Sequence, residues 1–163
     1  MARVALSIGS NLGDRQAALQ SVLDAMGQNF TDIRVSQTYE TAPWGVIDQP
    51  AFLNAIVLAE TQLDAYAVLA FAQACEDSAA RVRDVRWGPR TLDVDVILYD
   101  DLVQTDPVLT LPHPRAHERA FVLVPLVELD PEVQLPGLGR AADFLDVLGS
   151  AGVTAHSTLD APA

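Results

Sequence analysis

The order of segments predicts an α+β chain, a ferredoxin-like β-α-β-β-α-β sandwich with extra short strands and helices in its C-terminal part. Three observations carry this reading. Apolar residues alternate with period two in four stretches, apolar residues recur at helical spacing in two others, and the two patterns succeed one another in that order. The 163 residues, 50% of them hydrophobic, suit one domain over residues 1–163 with a core of its own.

The first strand is marked by the alternation of Val4, Leu6 and Ile8, and Gly9-Ser10-Asn11-Leu12-Gly13 reads as a turn. Asp14 is placed to cap a helix whose apolar face is Leu19, Val22, Leu23 and Met26, with Gly27 at its end. Ile33 to Tyr39 reads as the second strand. Ala42 to Pro50, bounded by prolines, is too long for a simple hairpin. Phe52 to Glu60 is the third strand, with Phe52, Asn54, Ile56 and Leu58 on one face. From Asp64 to about Ala80 the spacing is helical, with Val68, Leu69, Ala72, Cys75 and Ala79 inward. Val82 to Pro89 is a charged loop, and Leu92 to Tyr99 is the fourth strand. Two helices are expected on one sheet face, which leaves the other for a site or for later segments. Leu102-Val103 and Leu109 to Leu111 suit short edge strands. His117 to Glu128, which contains Pro125, and Ala141 to Leu148 suit helices, and the tail from about Thr154 to Ala163 is expected to fray.

The net charge of −12 argues against sequence-independent nucleic-acid binding and against docking on anionic membranes. With Cys75 alone there is no intrachain disulfide, which suits a reducing compartment. The N-terminus enters a strand pattern directly, without the apolar stretch of a signal peptide, so a cytoplasmic location is expected. All ten basic residues are arginines, so a Walker-type lysine and its glycine-rich loop are excluded.

On the fourth strand Leu92, Val94, Val96 and Leu98 are expected to share one face. Asp93 and Asp95 point to the other, their Cα atoms roughly 6.6–6.8 Å apart. Strand interiors disfavour aspartate, and two neighbouring carboxylates repel, so something cationic is needed between them. Mg²⁺ fits, since it takes one or two carboxylates and completes its octahedron with water and phosphate oxygens. An Asp-x-Asp on a solvated strand face needs no such explanation. The flanks tip the balance: Arg81, Arg83, Arg86, Arg90, Arg115 and Arg119 cluster around this strand. Arginine forks match phosphate oxygens, so the combination describes a metal–polyphosphate clamp. Arginines that merely neutralise nearby acids remain the plainer reading.

The run from Arg86 to Ile97, Arg-Trp-Gly-Pro-Arg-Thr-Leu-Asp-Val-Asp-Val-Ile, resembles the signature of the 6-hydroxymethyl-7,8-dihydropterin pyrophosphokinases. Other stretches resemble that family in the same order: Ile8 to Gly13, Thr41 to Gly45, Asp48 to Pro50, Phe52 to Ala55, Pro112 to Pro114 and Arg119 to Phe121. The resemblance covers roughly residues 3 to 148. It implies an ATP-dependent diphosphokinase that moves pyrophosphate from MgATP to a reduced pterin alcohol in folate synthesis and releases AMP. It implies two Mg²⁺ ions on Asp93 and Asp95, with Arg81 and Arg90 supporting transfer. The pterin would meet Thr41, Pro43, Trp44, Phe52, Asn54, Trp87 and Phe121, with Phe52 and Phe121 on its two faces. ATP would meet Gln73, Glu76, Arg83, Arg90, Val96, His113 and Arg119. A monomer is expected.

Some of this has independent chemical sense. A flat ring with polar edges suits two aromatic faces and an amide, and the two long loops suit lids. Taken singly, however, Phe52 and Phe121 also read as core, His113 as a surface histidine and Glu76 as a solvated helix face. The chain departs from some relatives at Phe52, where they carry tyrosine, at Val108, where they carry a basic residue, and in a third loop one residue shorter. Two other classes remain open: a nucleotidyltransferase, although Gly9-Ser10 lies far from Asp93 in sequence, and a non-catalytic ligand-binding module of the same fold.

Overall fold

The computed structural model describes residues 1–41, 51–83 and 92–162, with the backbone alone for residues 81–83. The chain runs β1 (Ala2–Ser10), α1 (Arg15–Met26), β2 (Phe30–Val35), β3 (Thr38–Thr41), β4 (Phe52–Thr61), α2 (Ala65–Arg83) and β5 (Asp93–Tyr99). Next come a 3₁₀ turn (Ala116–Glu118), α3 (Ala120–Leu129), β6 (Gln134–Leu135), β7 (Gly139–Arg140), α4 (Ala141–Leu148) and β8 (Val153–Ser157). The main sheet is antiparallel in the order β5-β1-β4-β3-β8, with β2 also paired to β4. The elements up to β5 therefore form the expected β-α-β-β-α-β sandwich, with β2 and β3 as two halves of one strand and β4 inserted between that strand and β1.

The caps explain where the two long helices begin. Asp14 accepts a hydrogen bond from the Ala17 amide at 3.0 Å, and Asp64 accepts one from Ala67 at 2.8 Å. The inward faces of α1 and α2 are those read from spacing. Leu19, Val22, Leu23, Met26, Val68 and Ala72 pack with Val4, Leu6, Ile8, Leu53, Ala55 and Val57 in one core layer. The other sheet face is covered by α3 and α4, through Val122, Leu123, Leu126 and Ala141 against Ala5, Ile56, Leu58 and Ile97. The later segments thus fill the face left open by the sandwich, except at one end.

Several boundaries differ from expectation, each for a local reason. The second strand breaks at Ser36, whose hydroxyl accepts from the Ile56 amide at 3.0 Å in place of a ladder carbonyl. Val35 stands opposite Val57 and Tyr39 opposite Asn54, so one extra residue bulges out between β2 and β3. A second irregularity lies in β5: Leu6 faces Val96 while Ala5 faces Leu98. Ile97 is the extra residue, and it turns Leu98 onto the α3 face, away from Val94 and Val96. Helix α2 runs three residues past Ala80. The stretch around Leu102 and Leu109 forms only the bridge Gln104↔Leu111.

The tail expected to fray from Thr154 instead forms β8, paired with β3 from Thr38↔Ser157 to Thr41↔Val153. The Ser157 hydroxyl reaches Gln16 at 2.6 Å, Gln16 holds the Thr158 carbonyl at 2.7 Å, and Gln20 holds that of Asp160 at 2.8 Å. Leu159 is buried in the α1/α2 core. The loop 42–50 and the loop 84–91, with Pro43, Trp44, Trp87 and Arg90, lie outside the described residues, as do the side chains of Arg81 and Arg83.

Leu6 is fully buried between the sheet and the helices. Leu6→Ala should cost about 2–5 kcal/mol in urea unfolding, and a loss well under that range would contradict the packing described. Tyr39 joins β3 to α3 by a hydrogen bond to the Glu128 carboxylate. Burial, that bond and the Glu128 charge push its pKa up from 10.0 to about 12. A raised folded value means that its contribution is complete below pH 10 and is lost as pH rises toward 12. Ultraviolet titration of Tyr39→Phe against the parent should remove the latest-titrating tyrosine.

Candidate active site

The open end of the α3 face is a cavity of about 800 Å³. Its floor is a set of residues brought level by strand register. Across the sheet, Asp93 stands opposite Gly9, Gly9 opposite Asn54, and Asn54 opposite Tyr39; one row over, Asp95 stands opposite Ser7. Phe52, Thr41 and Val153 form a further row at the mouth. Directly paired residues share a face in an antiparallel sheet, so both aspartates, the Asn54 amide and the Phe52 ring all line one surface. Adjacent strands are spaced by about 4.8 Å, which sets the aspartates roughly 10 Å from β4.

Gly9 makes room for the Asn54 side chain in its present position. A Cβ at that position would sit 2.4 Å from Asn54 Oδ1. The missing side chain leaves the Asn54 amide room to lie across β1 toward the carboxylates. Asn54 and Ser7 are nearly buried, with 6% of their surfaces exposed. The Thr41 hydroxyl oxygen is buried without a hydrogen-bond partner at the cavity rim. Buried polar atoms are rarely left so, and a polar ligand edge would satisfy it.

The roof comes from the segment leading into α3. Arg115, Glu118, Arg119, Ala120 and Phe121 line the cavity opposite the aspartates. Arg119 stacks its guanidinium 5.6 Å from the centre of the Phe121 ring. It also sits at the N-cap of α3, so its charge adds to the positive end of the helix dipole. Arg115 leans on Glu118 at 3.8 Å, an exposed and weak pair. A cationic wall thus faces an anionic floor, with a polar gap between them.

His113 joins the two. Its Nδ1 accepts from the Arg115 amide at 3.2 Å, which leaves Nε2 to carry the proton of the neutral ring. Burial lowers its pKa below 6.5; Asp95 opposes that shift, while Arg119 and Arg115 add to it. Glu76, on α2, lies behind β5 and accepts from the Val94 amide at 2.9 Å. It satisfies an edge-strand donor between the two aspartates. Gln73 is exposed one turn earlier on α2. Val96 turns its side chain into the α1/α2 core, so any nucleotide contact from this position is through the main chain. Cys75 is half-buried on the same helix, and burial and Glu76 push its thiol up to about 11. At neutral pH it is a protonated thiol, unsuited to nucleophilic attack.

Asp93, Asp95, Thr41, Phe52, Asn54, Arg119 and Phe121 are therefore brought together around one cavity, with His113 beside it. Gln73, Glu76 and the side chain of Val96 stand outside it. Sequence reading missed Ser7, Glu118 and the C-terminal residues Leu148, Gly149, Ala151 and Val153. Ser7 shares the polar position on β1 opposite Asp95, a signal visible only once the register is known. The two hard carboxylates, on neighbouring rows of one strand and lining one cavity with two arginines, are a donor set that fits Mg²⁺ with a polyphosphate. The same wall and floor can bind a triphosphate and place a planar, polar-edged molecule between Phe52 and Phe121.

Comparison with known proteins places the chain beside one family. Residues 5–131 match the family model described as 7,8-dihydro-6-hydroxymethylpterin-pyrophosphokinase. A 2-amino-4-hydroxy-6-hydroxymethyldihydropteridine pyrophosphokinase of Mycobacterium leprae is 49% identical over 152 residues, 86% of this chain and 78% of that protein. The protein of the same name in Bacillus subtilis is 40% identical over 141 residues, 85% of this chain and 84% of its own length. Among solved structures, Plasmodium falciparum HPPK-DHPS wild type with SDX-DHP superposes with a TM-score of 0.72 at 13% identity over 90% of this chain. At that identity the likeness concerns the fold alone, and the chain spans 44% of that protein's length.

In the ligand-free protein, an NMR titration of the histidines should place the midpoint of His113 below 6.5. Asp95 holds that midpoint up, so Asp95→Asn should move it lower still. A midpoint that rises in the variant would mean that the ring does not face Asp95.

Proposed function

Because the chain belongs to the 7,8-dihydro-6-hydroxymethylpterin-pyrophosphokinase family, we propose that the cavity over β1, β4 and β5 holds ATP and a hydroxymethyl-dihydropterin together. The chain is a diphosphokinase: it transfers pyrophosphate from ATP to 6-hydroxymethyl-7,8-dihydropterin in folate synthesis. The observation that carries the site assignment is the row Asp93–Gly9–Asn54, which sets a carboxylate and an amide on one surface across a glycine. The pterin lies between Phe52 and Phe121, with its polar edge on Asn54 and on the unpartnered Thr41 hydroxyl. The phosphates lie between the aspartates and Arg119, with the α3 N-terminus and Arg115 nearby. Arg81 and Arg83 from the end of α2, and Arg90, Trp87, Pro43 and Trp44 from the two loops, complete the site on the strength of the family resemblance.

The hydroxymethyl oxygen attacks the β-phosphorus in line with the bond to the α-phosphate's bridging oxygen. A new oxygen–phosphorus bond forms, that bond breaks, and AMP departs with the electron pair. The alcohol proton passes to solvent or a phosphate oxygen. No protein nucleophile is needed, so the side chains act by positioning and by charge. Asp93 and Asp95 would hold Mg²⁺, which we read as two ions, and the metal would supply charge neutralisation at the phosphate oxygens. Arg119 and the α3 dipole stabilise charge on the side away from the aspartates. His113, kept neutral by its surroundings, presents an Nε2–H donor without adding charge.

Within this reading the chain acts as a monomer, in the cytoplasm, without nucleic acid. Among the described residues no helix is long and apolar enough to cross a membrane.

Incubation with ATP, Mg²⁺ and the reduced pterin alcohol should release AMP. Release of pyrophosphate would point to nucleotidyl transfer, and binding without turnover to a non-catalytic module. Asp95→Ala should keep its thermal midpoint within a few degrees and lose at least about 10²-fold in kcat. Turnover near the parent value in that variant would remove Asp95 from the reaction.

A further inference from the structure

The cavity is closed on the side away from the aspartates by a segment beyond the family match, which ends at residue 131. Leu148 and Gly149 at the end of α4, Ala151 in the following turn and Val153 at the start of β8 all line it. Strand order fixes which end this is. The sheet runs β5-β1-β4-β3-β8, so the carboxylates of β5 and the wall from β8 lie at opposite edges, roughly 19 Å apart. Val153 pairs with Thr41, which pairs with Phe52. The C-terminal wall therefore adjoins the ring-binding end of the cavity and stands far from the phosphate end.

We infer that the turn Leu148–Val153 is a specificity-determining wall for the pterin, with the small residues Gly149 and Ala151 leaving room for the edge of a flat bicyclic ring held between Phe52 and Phe121. This rests on the placement of the pterin between Phe52 and Phe121. Three features make the wall a defined surface. Gly149 and Gly152 have φ of +80° and +83° with open space around them, so they are glycines for their backbone and not for lack of room. The Gly149 amide bonds the Leu145 carbonyl at 2.7 Å, and the Val153 amide bonds that of Ser150 at 3.1 Å. Beyond the turn, β8 is held to β3 and α1 through Thr38, Ser157 and Gln16. The wall is thus anchored on both sides while Ala151 itself is exposed to the cavity.

Ala151→Trp tests this, because a large side chain there fills the cavity without entering either core. Calorimetry would track 6-hydroxymethylpterin binding in the presence of saturating α,β-methylene-ATP, and separately the nucleotide alone. The expected result is a pterin Kd at least about tenfold weaker, a nucleotide Kd within about twofold of the parent and an unchanged thermal midpoint. Ala151→Ser should retain the parent pterin Kd, which a general loss of structure would not allow. Phe121→Ala serves as the control for the ring site. If Phe121→Ala weakens pterin binding and Ala151→Trp does not, the wall assignment is wrong. Equal weakening of pterin and nucleotide by Ala151→Trp would also overturn it. If neither variant affects the pterin, the ring binds elsewhere and both readings fall.

Discussion

The site depends on the crossing at Gly9, where the central strand passes between Asp93 on one neighbour and Asn54 on the other. Any side chain there would strike the Asn54 oxygen at 2.4 Å and push the amide off the floor. Antiparallel pairing does the rest. Side-chain period two and directly opposed residues bring two carboxylates, a serine hydroxyl, an amide and an aromatic ring onto one surface with no loop involved in their placement. Polar and anionic groups on a strand lose stability relative to apolar ones. The fold tolerates them because the reverse face of the same strands is packed without a break, from Leu6 and Ile8 to Val94 and Val96.

Charge obeys the same division. The chain is strongly acidic, yet among the described residues Arg115 and Arg119, the cations that line the cavity, are grouped on the roof. Asp93 and Asp95 set like charges on neighbouring rows of the floor, and Arg115 and Arg119 set like charges on the roof. A metal–polyphosphate bound as proposed would relieve both at once, since it would bring positive charge to the floor and negative charge to the roof. His113 fits this division because burial and two arginines outweigh the pull of Asp95 and keep it neutral. A neutral donor beside a crowded set of charges can orient a phosphate without changing the balance.

Much of this was legible in residue order. Asp14 announced α1, helical spacing identified the inward faces of both long helices, and the Asp-x-Asp with two of its flanking arginines marked residues that line one cavity. The features that were not legible came from long-range pairing. The bulge at Ile97 moves Leu98 to the other face, and nothing in the alternation of Val94, Val96 and Leu98 announces it. The Ser36 hydroxyl that interrupts the second strand is an ordinary serine until its partner Ile56 is known. Val96 stands in a motif that resembles an ATP site, but its period-two position turns the side chain to the core. The largest miss was β8. Its sequence, Val-Thr-Ala-His-Ser, is short and mostly polar. It is a strand because β3 offers an open edge and because Gln16 and Gln20 hold the carbonyls of Thr158 and Asp160 just beyond it.

That ordered C-terminal strand bears on why the chain continues past the sandwich. A β-α-β-β-α-β unit covers one face of its sheet and leaves the other apolar, here Ala5, Ile56, Leu58 and Ile97. Helices α3 and α4 cover that face only in part, stopping where the strands carry Ser7, Gly9, Asn54 and the aspartates. Coverage and opening are thus two results of one boundary: where strand residues are apolar the C-terminal helices pack, and where they are polar a cavity remains. The helices that bury the apolar half must begin and end at that boundary. This brings Arg119 and Phe121 at the start of α3, and Leu148 and Gly149 at the end of α4, to the rim of the cavity. The segments that complete the core are for that reason the ones placed to contribute to the chemistry.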